Sequence, residues 1–279
     1  MAERKQREVP LPVEHLESLR VGDLILTGRK SSYSEITQKV SKSSFGHAAV
    51  VIPGRRVLEA ANGPFTMHED DGGVSDLALD AFWDRAARLD DLEVRRPRGL
   101  DVDAFGSVAR WLLDHAPPSY PTVGAPILGV CCAGARLTDR LPVRARTLVA
   151  KTQLRLVADG PDKVQCAEIA YRLYDAAGLE VELVEPLLGP AIDHIRARQP
   201  NLLPLARTPR TGDETPRPAG VRQVPTVVKE LVVTLRQRVD RSIPRDHAGL
   251  ILPDDLKRSP TFDRVVAMRR VGPVWDVVD

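Results

Sequence analysis

FGHAAVVIPGRRVLEAA, residues 45–61, holds two apolar runs, GHAAVVI and RRVLEAA, on either side of the pair Pro53-Gly54. Short apolar runs rich in Val and Ile that flank a Pro-Gly break read as two antiparallel strands joined by a tight loop. A loop with an odd number of residues centred near Pro53 pairs His47 directly with Glu59 across the hairpin, on one face. A two-residue loop would set them on opposite faces. A carboxylate beside an imidazole can orient the ring and stabilise its protonated form while the other ring nitrogen addresses a nucleophile. A histidine on an apolar strand is otherwise a satisfied core residue.

Upstream, VGDLILT (21–27) reads as a turn at Gly22-Asp23 followed by a short strand, and Ser31 to Ser44 as a short surface helix with loops. Downstream, LDDLEVR (89–95) is a further strand. DVDAFGSVARWLLDH (101–115) is a helix that Pro117 stops, with Val102, Phe105, Val108, Ala109 and Leu112 at helical spacing. A second helix begins near Cys166 in CAEIAYRLYDAAG, where Ile169, Ala170, Leu173 and Ala177 line one face and Gly178 supplies the stop. Leu250 to Gly272 closes with a turn-rich stretch and a strand-like run. The pattern predicts an α+β fold with an antiparallel sheet packed against helices.

Cysteine reacts as thiolate, and its free pKa of about 8.5 falls beside a histidine or at a helix N-terminus. Cys166 stands at such a start, where the macrodipole favours an anion and free backbone N–H groups can stabilise an oxyanion. From local context alone it is equally a small hydrophobe opening a helix. His47 and Glu59 weigh towards chemistry.

The runs GDLILTG (22–28), FGHAAVVI (45–52), VLEAA (57–61) and QCAEIAYRLYDAAG (165–178) resemble the circularly permuted papain-like amidases of the YiiX and YaeF type, within the NlpC-like branch of the papain superfamily. The resemblance implies a permuted papain-like fold in which the strand bearing the histidine precedes the helix bearing the cysteine. It implies Cys166 as nucleophile, His47 as base and Glu59 as orienting residue. LPDDLKRSP (252–260) is similar to the proline-containing segment that follows the cysteine helix in that family, after a longer gap here. Ala167 stands where relatives commonly carry Ser, and Gly46 precedes the histidine where Ser is frequent.

The implied activity is hydrolysis of an amide or ester through an acyl-enzyme on Cys166, with a peptide or lipid-like small substrate. The alternatives are a lipid acyltransferase of the lecithin:retinol acyltransferase type, which shares the His-then-Cys order, and a non-catalytic lipid- or partner-binding module. Tyr120 and Gln165 are candidate substrate-binding residues, although the sequence favours an ordinary half-buried loop tyrosine at Tyr120.

The 279 residues read as an N-terminal extension (1–17), one catalytic domain (18–272) and a tail (273–279), the alternative being a separate C-terminal domain. Within the domain, 180–248 reads as an insertion made of a Pro-, Arg- and Thr-rich linker (205–225) and a basic amphipathic helix (226–245). That helix carries Lys229, Arg236, Arg238, Arg241 and Arg245 beside Val228, Leu231, Val232 and Leu235. It suits a packed surface helix or a peripheral contact with anionic lipid.

A formal net charge of +2 gives no global reason to invoke nucleic acid. Cys131-Cys132 lacks the spacing of a zinc site and reads as buried thiols, HEDDGG (68–73) lacks calcium-loop spacing, and the glycines match no nucleotide fingerprint. No cofactor or metal is expected. The basic N-terminus has no apolar run behind it, 123–135 is too short and glycine-broken to span a bilayer, and three cysteines suit a reducing compartment. A cytoplasmic protein is the expectation.

Overall fold

The computed structural model describes residues 17–28, 38, 43–61, 73–86, 89–115, 142, 145, 165–198, 248–272 and 274–278. Seven strands form one antiparallel sheet: β1 (Leu24–Gly28), β2 (His47–Ile52), β3 (Arg56–Ala61), β4 (Gly73–Ala78), β5 (Asp91–Pro97), β6 (Phe262–Val271) and β7 (Val274–Val277). Their spatial order is β4-β3-β2-β1-β5-β6-β7. The first four strands run as a meander to one side of β1, and the last three extend the sheet from its other side. Helices α1 (Leu79–Ala86), α2 (Val102–His115), α3 (Cys166–Ala176), α4 (Gly189–Arg198) and α5 (Pro253–Arg258) complete the described fold, with one 3-10 turn at Ala248–Leu250. The class is α+β with a purely antiparallel sheet.

The central strands are apolar on both sides because both faces are covered, which removes the in-out alternation of a one-sided antiparallel sheet. Leu24, Leu26, Ala48, Val50, Ile52, Leu58 and Ala60 form a core with Phe105, Ala109 and Leu112 of α2 and Ala167, Ile169, Ala170, Leu173 and Tyr174 of α3. Ile25, Ala49, Val51, Val57, Leu92 and Val94 form the opposite core with Leu79, Phe82 and Trp83 of α1. At roughly 1.5–3 kcal/mol for each fully buried Val, Leu, Ile or Phe side chain, these two layers are the main stabilising contribution.

The β2–β3 hairpin is present, with its register two residues from the expected one. Ile52 pairs with Arg56 and Glu59 with Ala49, so His47 and Glu59 are diagonal rather than direct neighbours. The loop is Pro53-Gly54-Arg55, centred on Gly54; Gly54 has φ +82° and Arg55 φ +53°. Two successive left-handed residues place the reversal one position later than Pro53 suggests. Because the side-chain period is two, this displacement leaves both groups on one face.

Other expectations also shift. Between Ala61 and Leu89 the chain forms β4 and α1, neither of which is among the elements expected from the sequence. The turn-rich stretch 250–260 contains α5, and Val274–Val277, expected in a tail, pairs with β6 as an edge strand. The proposed insertion at 180–248 starts inside the core, where Val181, Leu188, Ala191 and Ile192 are buried. Ala191 and Ile192 belong to helix α4. The linker 205–225, the basic helix 226–245, Cys131, Cys132 and nearly all of the helix expected at 31–44 lie outside the described residues. No helix among the described residues is long and apolar enough to cross a membrane.

Candidate active site

Helix α3 opens at Cys166 because Gln165 is extended, with φ −91° and ψ 161°, and its backbone N–H donates to the Glu168 carboxylate at 3.2 Å. Arg172, one turn on, holds that carboxylate at 2.7 Å. A carboxylate in the first turn and an arginine behind it make a stable start for the helix. The far end is fixed by Tyr174, whose hydroxyl donates to the Gly22 carbonyl at 2.9 Å and whose ring packs on Phe105 and Phe262. Anchored at both ends, α3 directs its N-terminus at the first residue of β2.

His47 is placed by the crossing of the chain over the end of β1. The Gly46 N–H donates to the Thr27 carbonyl at 3.0 Å, and the Ser44 carbonyl lies so close to Gly28 that a Cβ there would stand 2.0 Å from its oxygen. Only glycine admits that approach. A quarter of the His47 side chain is exposed, while Glu59 is fully buried.

His47 Nε2 and Glu59 Oε2 are 2.8 Å apart. With Nε2 engaged by the carboxylate, Nδ1 is the other ring nitrogen, and Cys166 stands near enough to the ring for its thiolate and the imidazolium to attract one another. Burial works against charge on all three groups, and their mutual attraction outweighs it. Burial alone would lower the His47 pKa, but the Cys166 thiolate and then Glu59 raise it to about 9. Burial alone would raise that of Glu59, but hydrogen bonds from His47 and Arg85 bring it to about 2. Burial likewise opposes the Cys166 thiolate, but His47 and the backbone amides of Ala48 and Ala167 pull its pKa below the usual thiol range. The group therefore favours a thiolate beside an imidazolium.

A fourth side chain completes the cluster. Arg85, in the last turn of α1, donates from Nη1 to Glu59 Oε1 and from Nη2 to Glu59 Oε2, each at 2.5 Å. Its guanidinium carbon also lies 5.0 Å from the centre of the Phe82 ring. The start of α1 is tied to the β2–β3 loop by the Leu79 N–H donating to the Arg55 carbonyl at 2.9 Å. Arg85 escapes a sequence reading because it belongs to a short helix far from the motifs. The trace it leaves is Leu79, Phe82 and Trp83 at helical spacing with Arg85 on the following turn.

Cys166, His47 and Glu59, singled out from the sequence, thus lie together. Gln165 is buried as the residue that caps α3, and Tyr120 lies outside the described residues. Among the described residues no three His, Cys, Asp or Glu side chains are grouped to hold a metal ion. The arrangement can attack an electrophilic carbon with sulfur and move a proton at Nδ1. No protein-family model matches the chain, and no curated protein shows significant similarity to it.

Proposed function

We propose that this chain is a cysteine-dependent hydrolase of the permuted papain-like type, acting on an amide or ester of a peptide or lipid-like acyl group. The observation that carries the reading is the 2.8 Å hold of a fully buried carboxylate, Glu59, on His47, with the Cys166 thiol at a helix N-terminus near enough to that imidazole to interact with it. The order of these parts, histidine strand first and cysteine helix later, suits the permuted arrangement. A module that only bound ligands would have no need to hold three groups against the cost of burying their charge.

In this mechanism the Cys166 sulfur attacks the substrate carbonyl carbon and the tetrahedral oxyanion forms near the N-terminus of α3. His47 passes its Nδ1 proton to the departing nitrogen or oxygen, leaving a thioester on Cys166. Water then attacks the thioester while the now neutral imidazole accepts its proton. The C–S bond breaks, and thiolate and imidazolium are restored.

The test is the pH dependence of Cys166 alkylation by iodoacetamide in the wild type, His47→Ala and Glu59→Gln, with mass spectrometry after p-nitrophenyl acetate to trap an acetyl-enzyme. Alkylation well below pH 8 that depends on His47, together with acetylation of Cys166, supports the reading. An ordinary thiol profile in all three proteins sinks it.

A further inference from the structure

Glu59 is fully buried and uses both oxygens: Oε1 takes Arg85 Nη1, and Oε2 is shared between Arg85 Nη2 and His47 Nε2. The fork of a guanidinium matches the two lone-pair edges of a carboxylate, so this grip fixes the plane of the carboxylate as well as its position. The plane of Glu59 in turn sets the plane of the imidazole. Among the described residues, the charged groups facing His47 are Cys166 from α3 and Glu59 from β3, and those facing Glu59 are His47 and Arg85 from α1.

That arrangement meets a difficulty inherent in acyl transfer by a cysteine. In the free enzyme a protonated imidazole beside the thiolate is what the chemistry needs. Once sulfur is acylated its negative charge is gone, and the same imidazole must be neutral to take a proton from water. A buried, unshared carboxylate at Nε2 would hold the ring protonated and stall the second step. A carboxylate whose charge is already met by a bidentate arginine orients the ring while attracting its proton less.

We propose that Arg85 is a positioning residue which, by clamping both oxygens of Glu59, lets that carboxylate orient His47 without locking it in the protonated form during deacylation. This deepens the proposed hydrolase reading and rests on it. Arg85 touches neither substrate nor sulfur in this role, and its action passes entirely through Glu59.

The experiment follows the breakdown of the acetyl-enzyme formed on Cys166 by p-nitrophenyl acetate, from pH 5 to pH 10, in the wild type, Arg85→Gln and Arg85→Lys. In the acylation that loads it, the C–O bond to p-nitrophenolate breaks as the C–S bond forms; in the breakdown, water replaces sulfur and acetate leaves. Arg85→Gln should move the pH midpoint of breakdown upward and lower the rate at pH 7 by roughly 10- to 100-fold, the scale of a misplaced catalytic group. Arg85→Lys, which keeps the charge but not the fork, should restore the midpoint towards the wild-type value and recover the plateau rate only in part. A merely structural arginine would lower the thermal midpoint of unfolding and leave the pH midpoint where it was. That result, in variants that remain folded by circular dichroism, overturns the inference. Should the variants not fold, the His47 ring titration followed by NMR in acetylated wild type decides instead. A ring protonated through pH 8 there contradicts a charge-sharing clamp, and one neutral by pH 7 agrees with it. Failure of the wild type to form any acetyl-enzyme on Cys166 defeats the hydrolase reading itself, an outcome distinct from either of these.

Discussion

At Cys166 the sulfur is buried, which disfavours its charge, and sits against an imidazolium and two backbone amides, which favour it. The balance predicts a characteristic pH response. Turnover should rise as the thiolate forms below the usual thiol range and fall as His47 loses its proton near pH 9, because leaving-group protonation is then lost. Alkylation needs only the thiolate and should show no such fall; a kcat/KM profile measured beside an alkylation profile checks the pair. Glu59→Ala should destabilise the fold by about 3–5 kcal/mol, because it strands a guanidinium and an imidazole against a buried hole. Glu59→Gln keeps the shape and should cost less. Chemical denaturation of both variants tests the ordering, and equal losses would mean that packing rather than charge dominates at this position.

Among the elements, the entry to β2 is the most sensitive to a single atom. Gly28→Ala places a methyl group 2.0 Å from the Ser44 oxygen, so the 44–46 crossing must move and carry His47 with it. The expected outcome is a folded protein with a weakened low-pH alkylation of Cys166, read by the same labelling assay; an unchanged profile would show that the crossing adjusts without moving the histidine. The hairpin also shows how far the amino-acid pattern reaches. Its existence, and the shared face of His47 and Glu59, follow from two apolar runs and an odd loop. Its register does not, because the left-handed pair Gly54-Arg55 sets the reversal and an arginine gives no warning of that conformation. Strand β4, GVSDLA, carries too little apolar alternation to announce itself, and α1 has only eight residues. Arg85 was illegible for a related reason, since its partner lies across a tertiary contact and not at a helical or strand spacing. Cys166, by contrast, was readable from its place at the head of a strongly amphipathic helix.

Across the whole molecule, the buried charges tie stability to pH. The Glu59 pKa, lowered from 4.5 to about 2, gives stability that is complete above the unfolded value and is lost as pH falls through 2. The His47 pKa, raised from 6.5 to about 9, gives stability that is complete below 6.5 and is lost as pH rises through 9. Because the Cys166 pKa is depressed where that of His47 is raised, these two contributions oppose each other above pH 6.5, and thermal unfolding scanned from pH 2 to pH 10 should lose stability chiefly at the acid end, through Glu59. Truncation after Gly272 should lower the melting temperature, because Trp275 of β7 is buried in the core that packs against α1. A truncated protein with unaltered melting would show that this edge strand adds nothing to the sheet.

The division of the site between near and distant parts of the chain also sets a timetable. Glu59 meets a histidine 12 residues before it and an arginine 26 residues after it, contacts close enough to form while the rest of the polypeptide is still being made. The sulfur arrives much later, on a helix that needs α2 and β6 around it before it can dock. The expectation is that the emerging cysteine behaves as an ordinary thiol, and that its labelling below pH 8 begins only once helix α3 has docked beside His47. Low-pH labelling of Cys166 is in that sense a clock for the completion of folding.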